Sequence, residues 1–230
     1  MFYYDWTYIF ILIGAVLSLL ASAKVKSSFA KYSRVMSKSG MTAKEVAERI
    51  LSEGGAGFVK VEPIAGELTD HYDPSAKVLR LSESVYSSTS VAAIGVAAHE
   101  CGHAIQDEEQ YFPMQIRSFL VPVVNFGNRL SMPLFIAGII LGLYNSLVPI
   151  GIFLFSFAVL FHVITLPVEF DASIRAVRIL KQTNILDQKE AGMAGVVLRS
   201  AAYTYLAAAA ASALQLLRLI LIARNERRRD

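Results

Sequence analysis

The sequence predicts a mainly α-helical integral membrane protein that carries a small α+β domain outside the bilayer. Hydrophobic residues make up 54% of the 230 residues and charged residues only 18%, which is too apolar for an ordinary soluble domain. Several apolar runs are long enough to cross a bilayer, and a more polar stretch after the first run contains short alternating segments. The formal net charge is only +3, and the basic residues flank apolar runs, which indicates membrane contact and no nucleic-acid partner.

The first apolar run predicts an uncleaved transmembrane anchor over residues 1–23. A signal peptide is the alternative, because residues 21–23 (Ala-Ser-Ala) resemble a cleavage site, but the leading residues 1–5 lack the basic segment that signal peptides need. Basic residues follow the run directly, at Lys24, Lys26, Lys31, Arg34 and Lys38. By the positive-inside rule, the segment after the anchor faces the cytoplasm.

The more polar region, residues 24–118, contains both helical and strand patterns. Thr42 followed by Glu45 is a capping box, which predicts an amphipathic helix through Leu51. Two alternating segments predict strands, and a polar segment predicts the turn between them: residues 59–64, 77–82 and 69–75. This small sheet either covers the helix that follows it or offers an edge with which an extended peptide can pair.

The segment His99-Glu100-Cys101-Gly102-His103 contains the pattern HExxH. Residues i and i+4 share one helix face, so His99 and His103 can offer two imidazoles to one zinc ion. Glu100 is then placed to accept a proton from the attacking water. The preceding residues are small and apolar, as a buried helix requires, and burying these three polar side chains without a metal is costly. The motif therefore predicts a zinc hydrolase site and makes residues 24–118 the catalytic region.

The next apolar region predicts a transmembrane hairpin over residues 119–166, turning at Asn145 and Ser146. Arg129 interrupts the first half; it marks an inward, functional face, or the first span begins later. The hairpin returns the chain to the side that holds the motif. The mixed, basic residues 167–200 are therefore predicted to be cytoplasmic and to carry the third zinc ligand.

The last segment, residues 201–230, is predicted to be an apolar helix with a basic tail. If the helix crosses the bilayer, four arginines lie outside, against the positive-inside rule: Arg224, Arg227, Arg228 and Arg229. A helix that is partly embedded, or packed against the other spans, is the alternative.

A catalytic zinc usually takes three protein ligands and keeps one position open. The candidates beyond the motif are His71, His162, Glu169 and Asp171. Glu169 is preferred, because it lies where the hairpin returns to the side of the motif. Asp171 can instead orient a ligand histidine. On a helix, however, residues two positions apart point in nearly opposite directions, so Asp171 would point away from Glu169. Either the helix breaks there, or Asp171 is a charge on the helix surface.

Two histidines have alternative roles. His162 lies two turns before Glu169 and is a candidate to stabilise the oxyanion of the reaction, or a polar residue packed between spans. His71 either lines the cleft or is an ordinary turn histidine.

Three segments carry a resemblance to a known family: residues 70–74 (DHYDP), 96–106 (VAAHECGHAIQ) and 166–173 (LPVEFDAS). Over nearly its whole length, the chain resembles the YugP-like neutral zinc metallopeptidases of bacterial membranes. The chain also resembles the HtpX and CAAX prenyl protease group, in which two spans separate HExxH from a glutamate ligand. The resemblance implies a multi-pass protein of the bacterial inner or plasma membrane and a gluzincin site. Its ligands to Zn²⁺ would be His99, His103 and Glu169, with Glu100 as the base. Ser173 stands where the related group has an acid.

The predicted function is peptide-bond hydrolysis by a zinc metalloendopeptidase at the cytoplasmic membrane surface. The catalytic domain is predicted to be zincin-like. The predicted partners of the protein are the lipid bilayer and a protein or peptide substrate. A regulatory membrane partner or an oligomer is a further expectation. The alternatives are a non-catalytic membrane scaffold with a structural or absent metal, and a protease that stays latent until a partner opens its cleft. A structural zinc normally has four protein ligands, so an open position separates these readings.

Overall fold

The computed structural model describes residues 5–226 and is mainly α-helical with one small sheet, which confirms the predicted fold class. Within those residues the elements follow one another in this order: α1 Tyr8–Tyr32, α2 Ala43–Glu53, β1 Lys60–Ile64, β2 His71–Asp73, β3 Val78–Ser82, α3 Glu83–Tyr86, α4 Val91–Glu108, α5 Phe112–Ile140, α6 Leu147–Gln182 and α7 Gln188–Glu226.

Helices α1, α5, α6 and α7 are long and apolar enough to cross a membrane. Large apolar side chains stand outward on them; Leu19, Phe119 and Phe153 are 69%, 74% and 62% exposed. Exposed apolar surface of this extent is typical of helices that contact lipid. The chain is a membrane protein with transmembrane helices.

The chain divides into two compact units. The membrane unit contains the residues up to Ala21, Ile116–Leu166 and the residues from Thr204 onward, and the site unit contains Ser22–Gln115 and Pro167–Tyr203. Each of the four long helices contributes residues to both units. The finer domain boundaries derived from the sequence stay predictions.

Close helix packing and one ion pair organise the membrane unit. A Cβ on Gly151 of α6 would lie 2.7 Å from the backbone oxygen of Ser131 on α5, so glycine allows these backbones to approach. Arg218 of α7 donates from Nη2 to Asp5 Oδ2 over 3.0 Å and stacks 4.5 Å above the ring of Tyr8. The arginine that interrupts the last apolar run is therefore paired at the start of α1.

Two sequence expectations concern basic residues of the membrane unit. Arg129 is exposed on α5, which begins at Phe112, so its side chain does not face the interior of this unit. The point along α5 at which the membrane span begins stays a prediction. The last apolar run is part of the continuous helix α7, whose described residues include Arg224. The other basic residues of the predicted tail, Arg227, Arg228 and Arg229, lie outside the described residues.

The sheet of the site unit has the strand order β1-β3-β2, with β1 parallel and β2 antiparallel to β3. The prediction of a turn over residues 69–75 was wrong in its centre, because His71–Asp73 forms β2. A strand of three residues is too short to show an alternating pattern. It is fixed by tertiary contacts, since Tyr72 is buried.

Helix α4 lies in the core of the site unit. Ser90 caps its N-terminus by accepting a hydrogen bond from the N–H of Ala93 over 3.2 Å. The predicted capping box at Thr42 and Glu45 is confirmed and opens α2, which packs on α4. Small side chains let α4 be buried on almost every face. The core around it includes large apolar side chains from the other elements: Ile50, Leu51, Leu79, Leu81, Leu180 and Leu186.

Helix α6 continues from Leu147 to Gln182 without a break, past the predicted end of the hairpin. Pro167 lies inside it, at the boundary between the two units. Glu169 and Asp171 therefore stand on a regular helix, and the interpretation that the helix breaks at Asp171 is wrong.

Candidate metal centre

The two motif histidines lie one turn apart on the same face of α4. Their ring centroids are 4.7 Å apart and their planes are inclined by 80°. His103 is buried, and His99 is nearly so, with 12% of its side chain exposed. This is the arrangement that the i, i+4 spacing predicts, with both Nε2 atoms directed to one side of the helix.

Glu169 of α6 completes the cluster. Its Oε2 lies 3.3 Å from Nε2 of His99 and 3.5 Å from Nε2 of His103, and its side chain is 3% exposed. The three side chains offer ligand atoms that all lie within 4.8 Å of one another. Among residues 5–226, this is the group of histidine and acidic side chains that can hold a metal ion.

Gly102 allows α4 and α6 to meet at this point. A Cβ on Gly102 would lie 2.8 Å from the backbone oxygen of Ala172 and 3.1 Å from its Cα. Such distances are shorter than real Cβ contacts, so only glycine fits without moving a backbone. Because Gly102 lies between the two histidines and Ala172 lies one turn after Glu169, this close approach brings the three ligands together.

Glu100 is buried beside the cluster, and β2 holds it there. Its Oε2 accepts a hydrogen bond from the backbone N–H of Tyr72 over 3.1 Å. Burial disfavours the charged carboxylate and raises the pKa of Glu100 to about 7, while the charge of His99 opposes this shift and that of Glu169 adds to it. Sequence reasoning missed the Tyr72 amide, because backbone groups leave no signal in a sequence.

The pKa of Glu169 moves in the opposite direction. Burial alone would raise it, but the imidazoles of His103 and His99, which lie against the carboxylate, outweigh burial and hold the pKa of Glu169 well below its usual range. Glu169 is therefore a carboxylate, with electron pairs available to a cation.

The donor set fits a zinc ion. Two imidazole nitrogens and one carboxylate oxygen are ligand types that zinc prefers, and three protein ligands are typical of a catalytic site. The far nitrogens of both rings already have partners: His99 Nδ1 lies 3.1 Å from Ser173 Oγ, and His103 Nδ1 lies 3.0 Å from Gln106 Oε1. With Nδ1 of each ring engaged, Nε2 is the atom left for a metal.

Asp171 forms its side-chain hydrogen bonds with residues other than the two motif histidines. It accepts hydrogen bonds from Gln106 Nε2 over 2.8 Å and from Nε of Arg175. The helix is continuous at Asp171, and its partly exposed carboxylate pairs with Arg175 and accepts from the buried Gln106 amide. Its role at the site stays a prediction. The sequence analysis did not predict Gln106 as a site residue. Its position three residues after His103 is the signal that could have identified it, because it places Gln106 on the same face of α4.

The remaining candidate histidines stand apart from the metal cluster. His71 donates from Nδ1 to the carbonyl of Thr69 over 2.8 Å, and its Nε2 accepts from Arg80 over 3.3 Å, so both ring nitrogens are used within the sheet. His162 is half-buried on α6 in the membrane unit, where its ring lies beside Phe161. Its oxyanion role stays a prediction.

Comparison with known proteins agrees with this chemistry. Residues 7–224 match the family model described as "Putative neutral zinc metallopeptidase". The chain is 48% identical over 221 residues to the "Putative membrane protease YugP" of Bacillus subtilis (strain 168), which covers 96% of this chain and 98% of that protein. No solved structure matches the chain. Zn²⁺ is the cofactor that the family implies, in agreement with the donor set. The chain therefore belongs to the neutral zinc metallopeptidase family.

Proposed function

We propose that the protein hydrolyses peptide bonds at the cytoplasmic surface of a bacterial cell membrane, as a zinc metalloendopeptidase of the gluzincin type. His99, His103 and Glu169 hold the metal, and Glu100 is the general base. The observation that carries this proposal is the convergence of three ligand atoms from α4 and α6 within 4.8 Å, with the carboxylate of Glu100 buried beside them.

The chemistry divides between the metal and Glu100. Zinc, when bound, supplies a Lewis acid that polarises the scissile carbonyl and lowers the pKa of water. Glu100 accepts the proton of the attacking water and returns it to the leaving amine. The backbone N–H of Tyr72, on β2, donates to the Glu100 carboxylate and so orients it for this proton transfer. Cleavage thus forms one carboxylic acid and one amine for each water consumed.

The position of β2 supports an extended peptide as the substrate. β2 is an edge strand of the sheet, and its Tyr72 N–H points away from β3 toward Glu100. The outer edge of β2 therefore lies next to the proposed base, to which its Tyr72 N–H donates. A peptide that adds to this edge as a further strand has its backbone beside Glu100.

Charge distribution supports a cytoplasmic site. α1 runs to Tyr32, and its last turns together with the segment that follows carry the basic residues Lys24, Lys26, Lys31, Arg34 and Lys38. Basic residues at the end of a span favour the cytoplasmic side. The similar protein from a bacterium favours a bacterial plasma membrane. A regulatory partner and an oligomeric state stay predictions.

A non-catalytic scaffold with a structural metal is the competing function. A structural zinc normally has four protein ligands in a closed set. The cluster found among the described residues offers three, from His99, His103 and Glu169. The three-ligand set therefore favours hydrolysis.

The test compares Glu100→Gln with Glu108→Gln, an exposed glutamate on the same helix. We expect purified Glu100→Gln to keep about one zinc per chain and to lose peptide hydrolysis by at least about 100-fold, because the general base is removed and the ligands remain. Glu108→Gln should match the wild type in zinc content and in hydrolysis. The substrate is a quenched-fluorescence peptide library in detergent micelles. Full hydrolysis by Glu100→Gln would contradict the proposed role.

A further inference from the structure

Gln106 is a fully buried amide that contacts both ligand-bearing helices. It lies on α4, three residues after His103, with no exposed surface. Its Oε1 accepts from Nδ1 of His103 over 3.0 Å. Its Nε2 donates to the backbone oxygen of Val168 over 2.9 Å and to Asp171 Oδ2 over 2.8 Å. The amide thus has both of its N–H groups and its oxygen in use.

These contacts fix which way the amide faces. The two groups near Nε2, the carbonyl of Val168 and the carboxylate of Asp171, are acceptors, so the NH₂ end must face them. Oε1 must then face His103, and an acceptor beside Nδ1 requires the proton on Nδ1. In the neutral imidazole, Nε2 of His103 then carries the lone pair, on the side where Glu169 lies 3.5 Å away.

Asp171 is itself held in place. Arg175 donates to it from Nε, and Nη1 of the same guanidinium donates to Glu109, near the end of α4. The guanidinium also lies 5.8 Å from the ring centroid of Tyr111. Asp171, which holds the Gln106 amide, is therefore part of a second connection between α4 and α6. This connection is made by the charged groups of Asp171, Arg175 and Glu109.

We propose that Gln106 is a positioning residue for the metal, and that Asp171 acts on the site only through it. Gln106 sets the tautomer of His103 and ties α4 to α6 at Val168, the residue before Glu169. This side chain thereby contributes to the fixed distance between the ligands of the two helices. His99 depends instead on the hydroxyl of Ser173, which lies 3.1 Å from its Nδ1. This inference rests on the proposed metal site.

The first test is Gln106→Met, which keeps a long buried side chain and removes all three hydrogen bonds. We expect zinc affinity, measured by competition with a chromophoric chelator, to fall about 10- to 100-fold. The visible absorption spectrum of the Co²⁺-substituted protein should change in position or intensity, because the ligand geometry changes. The control is Gln115→Met on α5, where the glutamine is exposed; its affinity and Co²⁺ spectrum should match the wild type.

The second test separates Gln106 from its anchor. Asp171→Ala removes a partly exposed side chain that does not touch His103, and the Val168 carbonyl still orients the amide. We expect a smaller loss of zinc affinity than in Gln106→Met. An equal or larger loss in Asp171→Ala would show that the carboxylate acts directly, and would overturn the proposal.

The outcomes distinguish this inference from the proposed function. A wild type that binds zinc and loses it in His99→Ala, beside a Gln106→Met variant with unchanged affinity and Co²⁺ spectrum, overturns the positioning role and leaves the metal site standing. A wild type without zinc overturns both.

Discussion

Two polar clusters in this protein are balanced in different ways. In the membrane unit, the guanidinium of Arg218 faces the carboxylate of Asp5 over 3.0 Å, so each charge meets an opposite charge. In the site unit, His99, His103 and Glu169 place three electron-pair donors around one point. The first arrangement neutralises itself, whereas the second suits a shared cation. Buried polar residues in a membrane protein can thus serve either packing or function, and the mixture of charges tells them apart.

The sharpest way to break the metal cluster without touching a ligand is Gly102→Ala. The new Cβ would meet the backbone of Ala172 at 2.8 Å, so α4 and α6 must separate. We expect stoichiometric zinc to be lost and the free energy of unfolding to fall by roughly 1–3 kcal/mol, the usual cost of overpacking. Zinc content by elemental analysis and denaturant unfolding in micelles measure the two effects.

Gly192→Ala on α7 is the matched control. A Cβ at Gly192 has nothing within 4 Å, and the residue is helical. Alanine is the better helix former, so stability should stay the same or rise slightly, and zinc content should not change. Full zinc retention in Gly102→Ala would mean that close packing of α4 and α6 does not assemble the site.

The smaller effect is expected at the ion pair of the membrane unit. Asp5→Asn leaves Arg218, whose side chain is 11% exposed, with an uncharged partner. We expect a loss of stability on the order of 1–3 kcal/mol with unchanged zinc content. A double-mutant cycle with Arg218→Gln should give a coupling energy of about 0.5–3 kcal/mol.

Glu67→Gln, at an exposed glutamate of the site unit, is the control for a change of one charge. It should alter neither stability nor zinc content. A loss of zinc in Asp5→Asn would contradict the separation of the two clusters, because it would make the ion pair part of the site.

Local patterns in the sequence predicted much of what is found in the structure. The capping box at Thr42, the long apolar helices and the i, i+4 histidines each depend on neighbours within a few residues along the chain. Helical period and hydrogen-bond capping act at that range, so they can be recognised from sequence alone. Glu169 was preferred because a hairpin must return the chain to its starting side.

Features that depend on distant partners were missed or left open. β2 is a strand because its backbone pairs with β3 and donates to Glu100. Its three residues are too few to show an alternating pattern in the sequence. Arg218 is explained by Asp5, which is 213 residues away in the chain. Asp171 was expected to point away from the site, and it reaches His103 only through the Gln106 amide. Such contacts are set by packing between helices, which no local pattern encodes.

The central claim, that α4 and α6 jointly hold a zinc ion, is tested most directly by the zinc content of Glu169→Ala. Detergent-purified wild type, Glu169→Ala and Glu53→Ala would be compared by elemental analysis after dialysis against a weak chelator; Glu53 is an exposed glutamate at the end of α2. We expect about one zinc per chain in the wild type and in Glu53→Ala, and a marked loss in Glu169→Ala, because a carboxylate ligand is removed. Full zinc in Glu169→Ala would contradict the account.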